Sequence, residues 1–195
     1  EDFNSVTAPS LPTNWVSSPS GMWKTGAPDN VVPNGGTLMG ATLNTSTHMM
    51  AVGLNGNTNA NNAILETPSF SIPSSVTTAY LNFDMAYLQL QYTANTNLKE
   101  DLYLVSSTDN GATWTTVQEI SGNQNAIWES RSISLASFAG STNLRLGFKY
   151  TNSDTVLMGA VLDNIKILVP VPAEMALLSV TPQQGDANAY GCVNS

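Results

Sequence analysis

Carboxylates are the residues of this chain best placed to do chemistry. In Val161-Leu162-Asp163-Asn164-Ile165-Lys166-Ile167, strand alternation with Ile165 and Ile167 facing the core points Asp163 inward as well. An inward carboxylate is costly unless it is hydrogen-bonded as a buried acid or neutralised by a hard cation, and only six Lys and Arg are available to pair it. Glu1 and Asp2 add carboxylates at the other end of the chain. If the first and last strands are neighbours, Glu1 and Asp163 meet on one Ca²⁺, completed by backbone carbonyls of an Asn/Thr loop such as 42–46. Such oxygen-rich, flexible coordination suits Ca²⁺ rather than Zn²⁺ or Mg²⁺. Asp84, Glu119 and Glu129 lie on or near strands and supply the alternative of paired carboxylates for glycoside hydrolysis. His48 is the single histidine, and no G-x-S-x-G elbow accompanies it, so it reads as an ordinary strand residue. The one cysteine, Cys192, excludes an internal disulfide framework and a Cys-rich zinc site. Tyr92 and Trp128 sit in loop-like contexts where an aromatic ring could stack on a sugar, although Trp128 reads better as a cover for the end of the core.

The most specific local pattern is Ser107-Thr108-Asp109-Asn110-Gly111-Ala112-Thr113-Trp114, which matches S-x-D-x-G-x-T-W, the Asp-box of bacterial sialidases and of several unrelated secreted β-domains. Its physics is that of a hairpin clamp. The Asp side chain accepts backbone N–H bonds across the turn, Gly takes the positive φ and Trp packs beneath. Sialidases repeat the box and need an arginine cluster for the substrate carboxylate. One box and two arginines, Arg131 and Arg145, make that activity a poor fit.

The elements that position these residues are strands. Leu81, Phe83, Met85 and Tyr87 alternate with Asn82 and Asp84, and Leu144, Leu146, Phe148 and Tyr150 alternate with Arg145 and Lys149, as half-buried antiparallel strands do. Further strands are predicted at about 47–54, 64–72, 101–107, 113–120, 130–135 and 160–168, with Asn55-Gly56 and Asn110-Gly111 as tight turns. Sustained helical periodicity is absent and no 40–50-residue unit repeats, so the fold class is all-β, a sandwich or barrel and not a propeller. The first 45 residues, with five prolines and Trp15 and Trp23, read as a short opening strand followed by loops pinned by the two tryptophans.

Composition sets the surroundings in which these strands fold. The 195 residues carry a net charge of -8 with only 10% charged side chains, while 21 Asn, 21 Ser and 21 Thr supply the polarity. With no basic patch to displace phosphate counterions, nucleic acid is excluded as a partner. No apolar run is long enough for membrane insertion as a helix. The Asn/Ser/Thr-rich, Lys-poor composition fits an extracellular protein. The start at Glu1, without Met or an apolar leader, reads as a processed or excised piece of a longer protein. Val169-Pro170-Val171-Pro172 reads as a stiff connector, dividing a module at 1–169 from a connector and the opening of a following module at 170–195.

The order of these motifs resembles the cleaved-adhesin and choice-of-anchor jelly-roll modules. Glu1-Asp2-Phe3-Asn4, Leu11-Pro12-x-x-Trp15 and Trp23 are similar to their opening, and Leu65-Glu66-Thr67-Pro68-Ser69-Phe70 to their L-x-T-P strand. Ala79–Tyr87, Asp101–Trp114, Trp128, Leu135 and Leu162-Asp163-Asn164-Ile165 continue the match over about residues 1–168. The resemblance implies an antiparallel β-sandwich of jelly-roll topology, related to MAM and galactose-binding-like sandwiches, in secreted or surface proteins of Bacteroidetes-type bacteria. It implies a non-catalytic module with structural calcium held by Glu1 and Asp163. The partners it implies are a carbohydrate or a host or cell-surface protein, together with neighbouring modules of the parent chain. Asn4 stands where many members have Glu. Residues 173–195 resemble the start of an Ig-like module, which would give Cys192 a partner beyond this chain. A glycoside-active jelly roll using paired carboxylates and a purely structural spacer are the competing expectations.

Overall fold

The computed structural model describes residues 1–26, 62–87, 89, 100–122, 128–152 and 159–169, and the backbone of 48–51. The expected calcium-loop residues 42–46, Asn55-Gly56, Tyr92, the 170–195 segment and Cys192 lie outside the described residues.

Among the described residues, ten strands form two five-stranded antiparallel sheets. They are β1 (Val16–Ser18), β2 (Trp23–Gly26), β3 (His48–Ala51), β4 (Ala63–Glu66), β5 (Tyr80–Tyr87), β6 (Glu100–Ser107), β7 (Thr115–Ile120), β8 (Glu129–Ser134), β9 (Arg145–Asn152) and β10 (Ala160–Leu168). One sheet runs β1-β4-β9-β6-β7 and the other β2-β3-β10-β5-β8. A single turn of 3₁₀ helix, Ala136–Phe138, follows β8. The architecture is an antiparallel β-sandwich of jelly-roll type.

Period-two apolar patterning dictates which faces meet. Leu81, Phe83 and Met85 of β5, Leu102 and Leu104 of β6, Leu146, Phe148 and Tyr150 of β9, and Leu65 of β4 are fully buried between the sheets. Phe83 and Phe148 join the layers edge to face, with ring centroids 5.0 Å apart. Such a pair adds about 0.5–1.5 kcal/mol to the gain from burial alone.

Two local departures from alternation matter for function. The first lies in the opening segment, which is a run of turns and not a strand: the N–H groups of Val6, Ser10 and Trp15 donate to the carbonyls of Phe3, Thr7 and Pro12. Strands β1 and β2 follow it within the stretch expected to be loop. They belong to different sheets, β1 beside β4 and β2 beside β3, so this segment carries the chain from one layer to the other. At three and four residues they are too short to display a period in sequence.

The second departure is a β-bulge in β10. Asp163 pairs with Asp84 of β5, whereas Lys166 pairs with Asn82, so β10 holds one extra residue between these pairs. Asn164 absorbs it with φ of 52°. Leu162 and Ile165 both reach the core. Asp163 therefore shares a face with Asp84, which alternates with the core residues Phe83 and Met85, and points away from the core. The inward orientation expected from simple alternation is overturned by the one-residue insertion.

Candidate binding site

The register sets Asp163 opposite Asp84, and the backbone of Glu1 lies beside β10. The amino group of Glu1 donates to the Ile165 carbonyl at 2.6 Å, and the Ile165 N–H donates to the Glu1 carbonyl at 2.9 Å. The opening residue is thereby laid against β10, two positions from Asp163. The Glu1 side chain turns back on its own segment, Oε1 accepting the Phe3 N–H at 3.0 Å. Asp163 is only 5% exposed, and its Oδ1 accepts the Asn164 N–H at 2.7 Å. Across the ladder, Asp84 accepts from the Asn164 side-chain amide at 2.9 Å and from the Ser130 hydroxyl. Two acids directly opposite in a sheet repel. Among the described residues no three His, Cys, Asp or Glu side chains are gathered as a metal-holding group.

The other acids are dispersed. Asp84 lies on the outer face of its sheet. Glu129 pairs with core-facing Met85 and forms an ion pair with Arg131, which also donates to the Ser121 carbonyl at 3.0 Å and so ties β8 to the end of β7. Glu119 lies on β7 of the other sheet, accepting from Gln89 at 3.1 Å. Glycoside hydrolysis needs two carboxyls roughly 5–10 Å apart across one groove. These three sit on two sheets and on different faces. His48 begins β3 opposite Gly26, and Trp128 is half-buried just before β8.

The Asp-box is built as a clamp. Asp109 Oδ1 accepts from the Ser107 hydroxyl at 2.7 Å and the Thr113 N–H at 2.9 Å, and Oδ2 accepts the Thr113 hydroxyl at 2.6 Å. The Gly111 N–H donates to Ser107 Oγ at 2.8 Å. Asn110 and Gly111 take φ of 62° and 90°, yet the connection spans the whole of 108–114 and is no two-residue hairpin, because the Asp109 carboxylate organises the loop. Trp114 lies across the outer face of the β4-β9-β6 sheet. A Cβ on Gly147 would come within 2.9 Å of Trp114 Cζ3 and 2.7 Å of Ile64 Cγ2. Beside it, Arg145 donates to Asn110 at 3.0 Å and pairs with buried Glu66 at 3.5 Å. Both arginines are thus committed to structural pairs.

Hydrogen bonds from Thr113 and then Ser107 hold the Asp109 carboxyl at about 2, below its ordinary 3.8. A depressed carboxyl contributes stability that is complete above its unfolded value and is lost as pH falls through its folded value. Asp109→Asn is therefore expected to melt below the parent protein at pH 6, the difference shrinking between about pH 4 and pH 2. Thermal melts at pH 6 and pH 2 check this, and an equal difference at both pH values would refute it.

An open cleft of about 460 Å³ lies between the opening loops and β1–β2. Pro9, Leu11 and Trp15 line one side, and Ser20, Trp23 and Lys24 also face it. Its frame is rigid. Phe3 is fully buried and meets Trp15 edge to face at 5.4 Å. The Thr25 hydroxyl donates to the Ser10 carbonyl at 2.7 Å, fastening the loop to β2. Trp23 is in the core, with its indole N–H donating to the Ala63 carbonyl at 3.1 Å. Sequence reading missed this site because it treated both tryptophans as pins. The available signal was an aromatic, a lysine and several prolines packed into residues 9–24.

No protein-family model matches the chain, and no curated protein matches it. Solved structures do. The K1 cleaved adhesin domain of Lys-gingipain from Porphyromonas gingivalis superposes with a TM-score of 0.53 at 17% identity, over 88% of this chain and 97% of that one. The K2 cleaved adhesin domain of Lys-gingipain superposes with a TM-score of 0.52 at 16% identity, over 87% and 97%. In fold, the chain is a cleaved-adhesin-like jelly roll.

Proposed function

We propose that this chain is a non-catalytic binding module of a secreted or cell-surface protein, with carbohydrate as its ligand. The observation that carries the reading is the cleft at β1–β2, a concave site with a tryptophan wall and a few polar groups, as small-ligand sites have. The adhesin-like fold supports it. So does the scatter of Asp84, Glu119 and Glu129, which sit on two sheets and on different faces. No helix among the described residues is long and apolar enough to cross a membrane.

We infer further that Glu1 and Asp163 hold a structural Ca²⁺, with Asp84 opposite Asp163 across the ladder. The donor chemistry fits: all the groups are oxygens, Asp163 is buried, and it lies directly opposite a second carboxylate. The ion would supply charge neutralisation at the bulge and a tie between the opening segment and β10, and no reaction step.

A glycan array probed with the whole chain tests the binding reading. Retention on one or more glycans without release of reducing ends is the expected result. An array with no binder would overturn it, as would hydrolysis of a bound glycan that Asp84→Asn abolishes.

A further inference from the structure

We propose that the cleft at β1–β2 is a subsite for an acidic sugar, a pyranose carrying a carboxylate, with Lys24 as its counter-ion and Trp15 as the wall on which the ring packs. The proposal deepens the carbohydrate-binding reading and rests on it.

Charge is the first argument. The chain has fourteen acids and six cations, yet among the described residues Lys24 is the single charged one lining the cleft. A cation in that lining favours a ligand carrying a carboxylate over its neutral counterpart, because a charge-assisted hydrogen bond is stronger than a neutral one. Lys24 is half-buried on β2, so its stem lies along apolar surface and its head remains at the solvent side.

The second argument is an inventory of donors. The Ser17 hydroxyl donates to the Pro19 carbonyl at 2.8 Å and accepts the Trp23 N–H at 2.9 Å, and the Trp23 indole is committed to Ala63. These groups build the frame. Lys24, the Ser20 hydroxyl and the Trp15 indole N–H make no hydrogen bond or ion pair among the described residues. Among the described residues, three donors and no acid around an aromatic wall match a ligand that presents a carboxylate, hydroxyl oxygens and one apolar ring face. The volume, about 460 Å³, is within the range of small-ligand sites.

The experiment is calorimetric titration of the whole chain with a galacturonate trisaccharide, the matching neutral galactose trisaccharide and a Glu-rich peptide. The acidic sugar is expected to bind in preference, more weakly as salt rises. Lys24→Gln should weaken it roughly tenfold or more. Ser20→Glu, which puts a repelling charge in the cleft, should abolish binding with the melting temperature unchanged. Both side chains lie outside the core, so loss of binding is separable from loss of fold. Equal binding of the neutral sugar, indifferent to Lys24→Gln, would overturn the acidic subsite and leave the carbohydrate reading standing. Binding of neither sugar would overturn the acidic subsite, and the glycan array then decides the carbohydrate reading. Binding of the peptide alone would replace the sugar with an acidic protein segment and overturn the proposal.

Discussion

Excess chelator is expected to lower the melting temperature by about 5–10 °C, the effect of losing an ion present at roughly a hundred times its dissociation constant in a domain of this size. Asp163→Ala should reproduce the loss and abolish further sensitivity to chelator. The reason lies in the register of the second sheet. Asp163 and Asp84 are cross-strand partners on one face, and Asp163 is 5% exposed. Two carboxylates in that relation destabilise the sheet unless a cation or protons neutralise them. Glu1 is bonded through its backbone to Ile165, so an ion at the bulge would also clamp the opening segment, and with it Phe3 and the wall of the cleft. Asp84→Asn removes the repulsion without the bulk. It should lose less than Asp163→Ala in calcium and gain relative to the parent protein in chelator. A melting temperature indifferent to chelator would reject the calcium proposal and leave the acids as a hydrogen-bonded cluster around Asn164.

Trp23→Ala is expected to cost about 3–5 kcal/mol, the largest effect of any single truncation near the binding cleft. Trp23 is 1% exposed and joins three parts of the molecule. Its ring fills the core, its indole N–H donates to Ala63 of β4 in the opposite sheet, and its backbone N–H donates to Ser17 of β1. Removing the ring leaves a cavity beneath the cleft, so sugar affinity should fall together with stability. Trp23→Phe retains most of the apolar volume and loses the hydrogen bond, for a smaller cost of about 0.5–1.5 kcal/mol. Denaturant titration separates the two variants. A loss under about 1 kcal/mol for Trp23→Ala would show that the tryptophan is a surface cover and no joint between the sheets.

Much of the scaffold was legible in the residues. Strands β5, β6, β9 and β10 lie within about two residues of their expected positions, β5 and β9 because their apolar residues alternate over seven positions. The Asp-box was legible as a clamp, since its bonds join Ser107, Asp109, Gly111 and Thr113, all within seven residues of one another. The site was far less legible. The orientation of Asp163 was misread because one inserted residue reverses a period-two pattern, and Asn164 is not visibly a bulge until its partner strand is known. That Asp84 stands opposite Asp163 is a pairing over a long stretch of chain.

Local chemistry, written into neighbouring side chains, settled the all-β class, the inward faces of the long strands and the Asp109 turn. Sheet order and register settled the rest: which layer β1 and β2 join, which acid faces which, and where Trp15 and Lys24 share a cleft. The division follows from range. A strand's polarity pattern and a turn's hydrogen bonds are properties of adjacent residues. A binding cleft and a charged cluster exist only where separate segments are brought together by burial of a common core.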